Sequence, residues 1–88
     1  MKILHLPEQL KRFADGKSEI HFEGETFNDM GRFLEAHHSG IYQQLFNSHN
    51  QLKPFARLFI NRLQIHGLND IIFGVNDHLS IIIATAGG

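Results

Sequence analysis

The apolar run near the end of the chain, Leu79-Ser80-Ile81-Ile82-Ile83, constrains the fold more than any other segment. Its β-branched residues lose side-chain freedom in a helix and pack well on a pleated surface, so the run reads as a strand. Asn76-Asp77 just ahead of it supplies a turn. A strand this apolar has to be covered, and the rest of the chain must provide the cover.

Ile3 to Leu6 is a second short apolar run. It leads into Glu8 to Phe13, where Leu10 and Phe13 share helical spacing before the Asp15-Gly16 turn. From Lys17 to Glu25, Ile20 and Phe22 alternate with Glu19, His21 and Glu23, which predicts a half-buried strand and a hairpin-like pair. Thr26 with Asp29 three residues on resembles a capping box, and Phe27, Met30 and Leu34 repeat at helical spacing. Gly31 weakens that helix slightly, and Ser39-Gly40 is expected to end it. A short amphipathic stretch, Ile41 to Phe46, and a polar loop, Asn47 to Lys53, follow.

After Pro54, Phe55 to Ile60 predicts a strand, Asn61-Arg62 a turn, and a further short strand runs through Ile65. A loop is expected at Gly67 to Asp70. The order β-β-α-β-β-β is that of an α+β domain, a mixed sheet with one main helix packed across one face. This is the ubiquitin-like β-grasp arrangement, and by analogy with it the first and last strands lie side by side at the centre.

With 88 residues there is room for one domain and none for a deep cleft with its own supporting shell. A net charge of −1 offers no basic stripe for phosphates, so nucleic acid is not expected as a partner. Zero cysteines exclude disulfides, thiolate zinc sites and a cysteine nucleophile in this chain. The opening MKILHLPEQL is too short an apolar run for a signal peptide and no stretch is long enough to span a membrane, so the expected location is the cytoplasm.

The strand at 79–83 should end in polar residues; instead it runs into Ala84-Thr85-Ala86-Gly87-Gly88. We expect residues 1–83 to form the domain and 84–88 a flexible tail. Two final glycines arise by chance at about 0.5% given ordinary glycine usage, so a frayed end is one reading. The other is chemical. Glycine has no Cβ, so Gly87 and Gly88 can thread a narrow channel and bring a carboxylate to a buried nucleotide. A partner that adenylates the carboxylate would turn one of its oxygens into a leaving group, and a sulfur nucleophile could then displace the nucleotide.

The tail ATAGG is similar to the P-x-V-A-G-G ending of the MoaD/ThiS family of ubiquitin-like sulfur carriers. His38-Ser39-Gly40-Ile41 with Leu45, Leu52-Lys53 with Phe55, Phe59-Ile60-Asn61, and Asn76-Asp77-His78-Leu79 also resemble the family, most nearly its longer branch serving cysteine synthesis. Two positions depart from its pattern: Ile83 stands where a Pro is usual, and Asn76 where a turn Gly is usual. The resemblance implies a carrier that is not an enzyme. It would be adenylated and thiocarboxylated at Gly88, with Gly87 and Ala86 as the tail, by a ubiquitin-activating-type adenylyltransferase that uses ATP and Mg. A sulfur-accepting synthase of the cysteine, molybdopterin or thiazole pathway would then consume the sulfur, and no cofactor would be bound permanently. It also implies that Ile82 touches the activating enzyme, and Leu58 and Ile3 are expected beside it on the same sheet face.

Seven histidines invite a metal site, but the adjacent His37 and His38 point apart on a helix and no tetrahedral set completes them, so none is expected. Ser39, Ser48 and Ser80 have no cleft in which to form a triad. Leu4, Leu6, Phe22, Met30, Leu34, Phe59, Leu79 and Ile81 are the expected core. Two other functions stay open: a modifier joined to lysine through Gly88, and an interaction module whose Gly-Gly end is incidental.

Overall fold

The computed structural model describes residues 2–65, 67 and 71–84. Among them, β1 (Lys2–His5) leads into a 3-10 helix (Glu8–Ala14) and then β2 (Glu19–Phe22). Next come α1 (Phe27–His37) and α2 (Ser39–Leu45), followed by β3 (Ala56–Ile60), β4 (Leu63–Ile65) and β5 (His78–Ile83). The sheet order is β2-β1-β5-β3-β4, with β1 and β5 parallel and the other neighbours antiparallel. The first and last strands therefore pair at the centre, as expected. β5 is hydrogen-bonded on both sides, to β1 and β3, and its burial alternates along the strand, with Leu79 and Ile81 on the buried face.

The helix start is built as the sequence implies. The Asp29 N–H donates to Thr26 Oγ1 at 3.1 Å, while Asp29 Oδ2 accepts from the backbone N–H groups of Glu25 at 3.0 Å and Thr26 at 3.2 Å. These bonds favour the ionised carboxyl, that from Glu25 most strongly, and hold Asp29 below its ordinary pKa of 3.8. Gly31 has a packing reason to be glycine: a Cβ there would lie 2.7 Å from Asn50 Oδ1. Asn50 is itself held at φ +60° by Tyr42, whose hydroxyl donates to Oδ1 at 2.8 Å, and by a bond from its Nδ2 to Asn28 Oδ1 at 2.6 Å.

Ser39-Gly40 was expected to end a helix; it ends α1 and also opens α2. His38, with φ −142°, is the single non-helical residue between them. Met30 and Leu34 of α1 and Ile41 and Leu45 of α2 are fully buried over Leu4, Phe22, Leu58, Leu79 and Ile81 of the sheet. One helix layer thus covers one sheet face and leaves the other open. Phe73, in the connection before β5, also enters the core, edge-on to Phe22 with ring centroids 6.1 Å apart. Of the loop expected at Gly67 to Asp70, residues 68–70 lie outside those described. No described helix is long and apolar enough to cross a membrane.

Candidate functional site

Period 2 along β5 turns Leu79 and Ile81 under the helices and His78, Ser80 and Ile82 to the open face, where Ile82 is 49% exposed. On β1, Leu4 is buried while Ile3 and His5 face the open side, Ile3 opposite His78 and His5 opposite Ser80. Ile82 and Ile3 thus share a face. Ile82 lies four positions along β5 from His78, however, so the two isoleucines lie about 13 Å apart along the strand direction.

Leu58 does not join them. It pairs with Ile81, is 1% exposed, and belongs to the core, which corrects the expectation that it lines the open face. The physical reason is the register of β3: Ala56 and Leu58 point to the helices, so Arg57 and Phe59 point away. Phe59, expected in the core, is instead half-buried on the open face opposite Ser80 and diagonal to Ile82. The charge on Arg57 was the available signal, because a residue two positions from an arginine shares its face.

The start of β5 is fastened to the β3–β4 turn. Asn61 and Arg62 both have positive φ, +49° and +75°, as a two-residue hairpin requires. The Asn61 N–H donates to the His78 carbonyl at 2.8 Å, and the His78 N–H donates to Asn61 Oδ1 at 3.1 Å. Asn61 Nδ2 donates to Asp77 Oδ1 at 3.1 Å. A cavity of about 400 Å³ opens there, lined by His5, Asn61, Arg62, His78 and Ser80. Within it His5 Nε2 and His78 Nδ1 are 2.9 Å apart, and His5 Nδ1 lies 3.8 Å from Glu19 Oε2 on β2.

The far end of β5 leads to the tail. The Ala84 N–H donates to the Phe55 carbonyl at 2.7 Å, extending the ladder one residue past the strand. Ala86, Gly87 and Gly88, the predicted tail and modification site, lie outside the described residues.

His37 and His38 both lie against Phe33, with ring centroids 4.7 and 6.0 Å from its ring, and the His38 N–H caps the Leu34 carbonyl at 2.7 Å. Burial, with His37 and Lys17 nearby, lowers the His38 pKa from 6.5. Among the described residues no group of three or more His, Cys, Asp or Glu is placed to hold a metal ion.

The sequence matches no protein-family model and no curated protein. Solved structures do resemble it. A chain of the BexX/CysO complex of Amycolatopsis orientalis superposes with a TM-score of 0.87 at 23% identity, with all of both chains covered. CysO of Mycobacterium tuberculosis gives 0.84 at 22% identity, over 97% of this chain and 100% of that one. Small archaeal modifier protein 1 of Methanosarcina acetivorans gives 0.81 at 20% identity, over 99% and 95%. The fold is the ubiquitin-like β-grasp. In this β-grasp domain the strand that precedes the predicted tail is also the central one.

Proposed function

We propose that the chain is a sulfur carrier whose reactive group is the Gly88 carboxylate. The observation that carries the reading is the central strand β5, pinned to β3 as far as Ala84 and followed by Thr85-Ala86-Gly87-Gly88. Fully extended, four residues reach about 13 Å. That is enough to enter a partner's nucleotide site while the sheet stays on the partner's surface.

In this reading a ubiquitin-activating-type adenylyltransferase binds ATP and Mg, and the carrier is its cosubstrate. A Gly88 carboxylate oxygen attacks the α-phosphorus, the α–β phosphoanhydride bond breaks, and pyrophosphate leaves. A sulfur nucleophile then adds at the acyl carbon and expels AMP, and the resulting thiocarboxylate passes sulfur to a synthase. The chain needs no catalytic side chain and no resident cofactor. Ile82, Phe59 and Ile3 form the apolar part of the docking face, and the cytoplasm, where ATP is plentiful, is the compartment.

A second reading has one observation in its favour, the likeness to a small archaeal modifier protein. The same acyl-adenylate could pass to a lysine amine. Intact mass after incubation with the activating enzyme, Mg-ATP and a sulfur donor tests the proposal. Exchange of one oxygen for sulfur at Gly88 is expected, and it should be lost in Gly87→Val, whose β-branched side chain widens the tail. An unmodified terminus would refute the carrier reading, and a branched peptide on lysine would favour the modifier.

A further inference from the structure

We propose that the open face receives a carboxylate of the docked partner protein at the His5–His78 pair, and that docking takes up one proton. This rests on the docking reading above and adds to it the partner's chemistry and a pH dependence.

Two ring nitrogens 2.9 Å apart cannot both carry a proton or both be bare, so His5 Nε2 and His78 Nδ1 share one. The Glu19 carboxylate, 3.8 Å from His5 Nδ1, favours a proton on that nitrogen. In the neutral pair both protons are then placed, one on His5 Nδ1 and one between the rings, and His78 Nε2 is left as a bare acceptor. An acceptor repels a carboxylate. One added proton on His78 Nε2 makes it a donor, leaves the shared bond intact and gives the pair a single positive charge. A second added proton would put hydrogens on both facing nitrogens and break the bond. The pair thus works between two states that differ by one proton.

The groups around it decide what that proton attracts. From β1 comes His5, from β2 Glu19 and His21, from the β3–β4 turn Asn61 and Arg62, and from β5 and the residue before it His78 and Asp77. Asp77 is already engaged, accepting from Asn61 Nδ2 at 3.1 Å and from the Gly74 N–H at 2.7 Å. Glu19 sits on the far side of His5, away from the cavity lining. Arg62 lines the cavity, and among the described residues it has no ion pair. The residues lining the cavity therefore offer a guanidinium, the Ser80 hydroxyl and a protonatable imidazole pair, and none of them is a carboxylate; Glu19 approaches the pair only at His5 Nδ1. It lies on the same face as Phe59 and Ile82, so a protein docked there would cover it. Such cover would also remove the water that screens these charges.

Linkage sets the size of the effect. At pH values where the free pair is neutral and the docked pair charged, docking weakens up to tenfold for each unit rise in pH, and it becomes flat where both states carry the proton or neither does.

The test is isothermal titration of the full chain with the adenylyltransferase from the same organism, between about pH 6 and 8, in buffers of different ionisation enthalpy. Uptake of up to one proton is expected, largest at a pH where the free pair is neutral and the docked pair charged, with affinity falling as pH rises across that range. His78→Gln should remove both the uptake and the pH slope, while Arg62→Gln should lower affinity and leave the proton count unchanged. Absence of proton uptake in the wild type, or uptake that survives in His78→Gln, overturns the inference. Ile82→Asp separates the two levels: if it binds normally, the docking face is misplaced and the inference falls with it. If it abolishes binding while the wild type takes up no proton, only the carboxylate site falls. Nitrogen-15 spectra of the free chain give a partner-independent check, since independent titration of His5 and His78 would also overturn the shared proton.

Discussion

Replacing Ile82 by Asp should leave the fold standing and remove docking. Full burial of an isoleucine side chain stabilises a protein by about 2–3 kcal/mol. Ile82 is 49% exposed, so roughly half of that, about 1 kcal/mol, is at risk. Ile82 stands opposite Arg57, and an opposite-charge pair across two strands returns about 0.2–1 kcal/mol. The net loss is then about 0.5 kcal/mol, or roughly 2–4 °C in Tm for a domain of this size. The same change at Ile81, 1% exposed, would bury an unpaired carboxylate and should prevent folding. In the docked complex the carboxylate introduced by Ile82→Asp would face that penalty at the interface, and a loss of about 1–3 kcal/mol corresponds to a 5- to 150-fold weaker Kd. Thermal unfolding by circular dichroism and titration with the activating enzyme read the two effects separately. Unfolding of Ile82→Asp would refute the assignment of faces on β5, and unchanged affinity in a folded variant would refute the docking role.

Gly31→Ala should destabilise by about 1 kcal/mol although alanine is the better helix former, because its Cβ displaces Asn50 and strains the bonds to Tyr42 and Asn28; urea unfolding checks this, and a more stable variant would show that Asn50 yields freely. Asp29 has a lowered folded-state pKa, so its contribution is fully present above about pH 4 and is lost as pH falls through that lower value. The stability gap between wild type and Asp29→Asn should therefore close on acidification, and a gap constant down to about pH 2 would contradict the capping role.

The helix was legible because Thr26 and Asp29 carry their own geometry: a hydroxyl and a carboxylate three residues apart satisfy the same orphan N–H groups in almost any context. The central place of β5 came from analogy with the β-grasp arrangement and not from its own periodicity, since its burial alternates like that of any strand covered on one face. The face assignment of β3 was not read correctly, since Leu58 and Phe59 are both apolar and only Arg57 breaks the tie. A one-residue shift exchanges every side chain between faces, so a single such error moved Leu58 out to the surface and Phe59 into the core. Phe73 escaped assignment for a different reason. It lies in irregular chain, and its burial depends on the Phe73 N–H donating to the Glu25 carbonyl at 2.7 Å, a contact between segments far apart in sequence. The His5–His78 pair is likewise invisible to spacing, because 73 residues separate the two rings and only the parallel pairing of β1 with β5 brings them together.

The departure at Ile83 can be weighed from the ladder itself. Bonds between β3 and β5 join Asn61 to His78 and Phe55 to Ala84, and in an antiparallel pair bonded and non-bonded positions alternate. Ile83, opposite Ala56, therefore falls at a non-bonded position, where its N–H is not required by β3. A proline at this point would sacrifice no bond to β3, and isoleucine in its place adds none. What the ring would supply is a fixed φ at the root of the tail. Here the Ala84 N–H, bonded to Phe55 one residue further on, constrains the same stretch of backbone by a different route. The backbone at Ile83 and Ala84 is thus held by strand pairing in place of a ring, through a bond one residue beyond the position where the ring would stand.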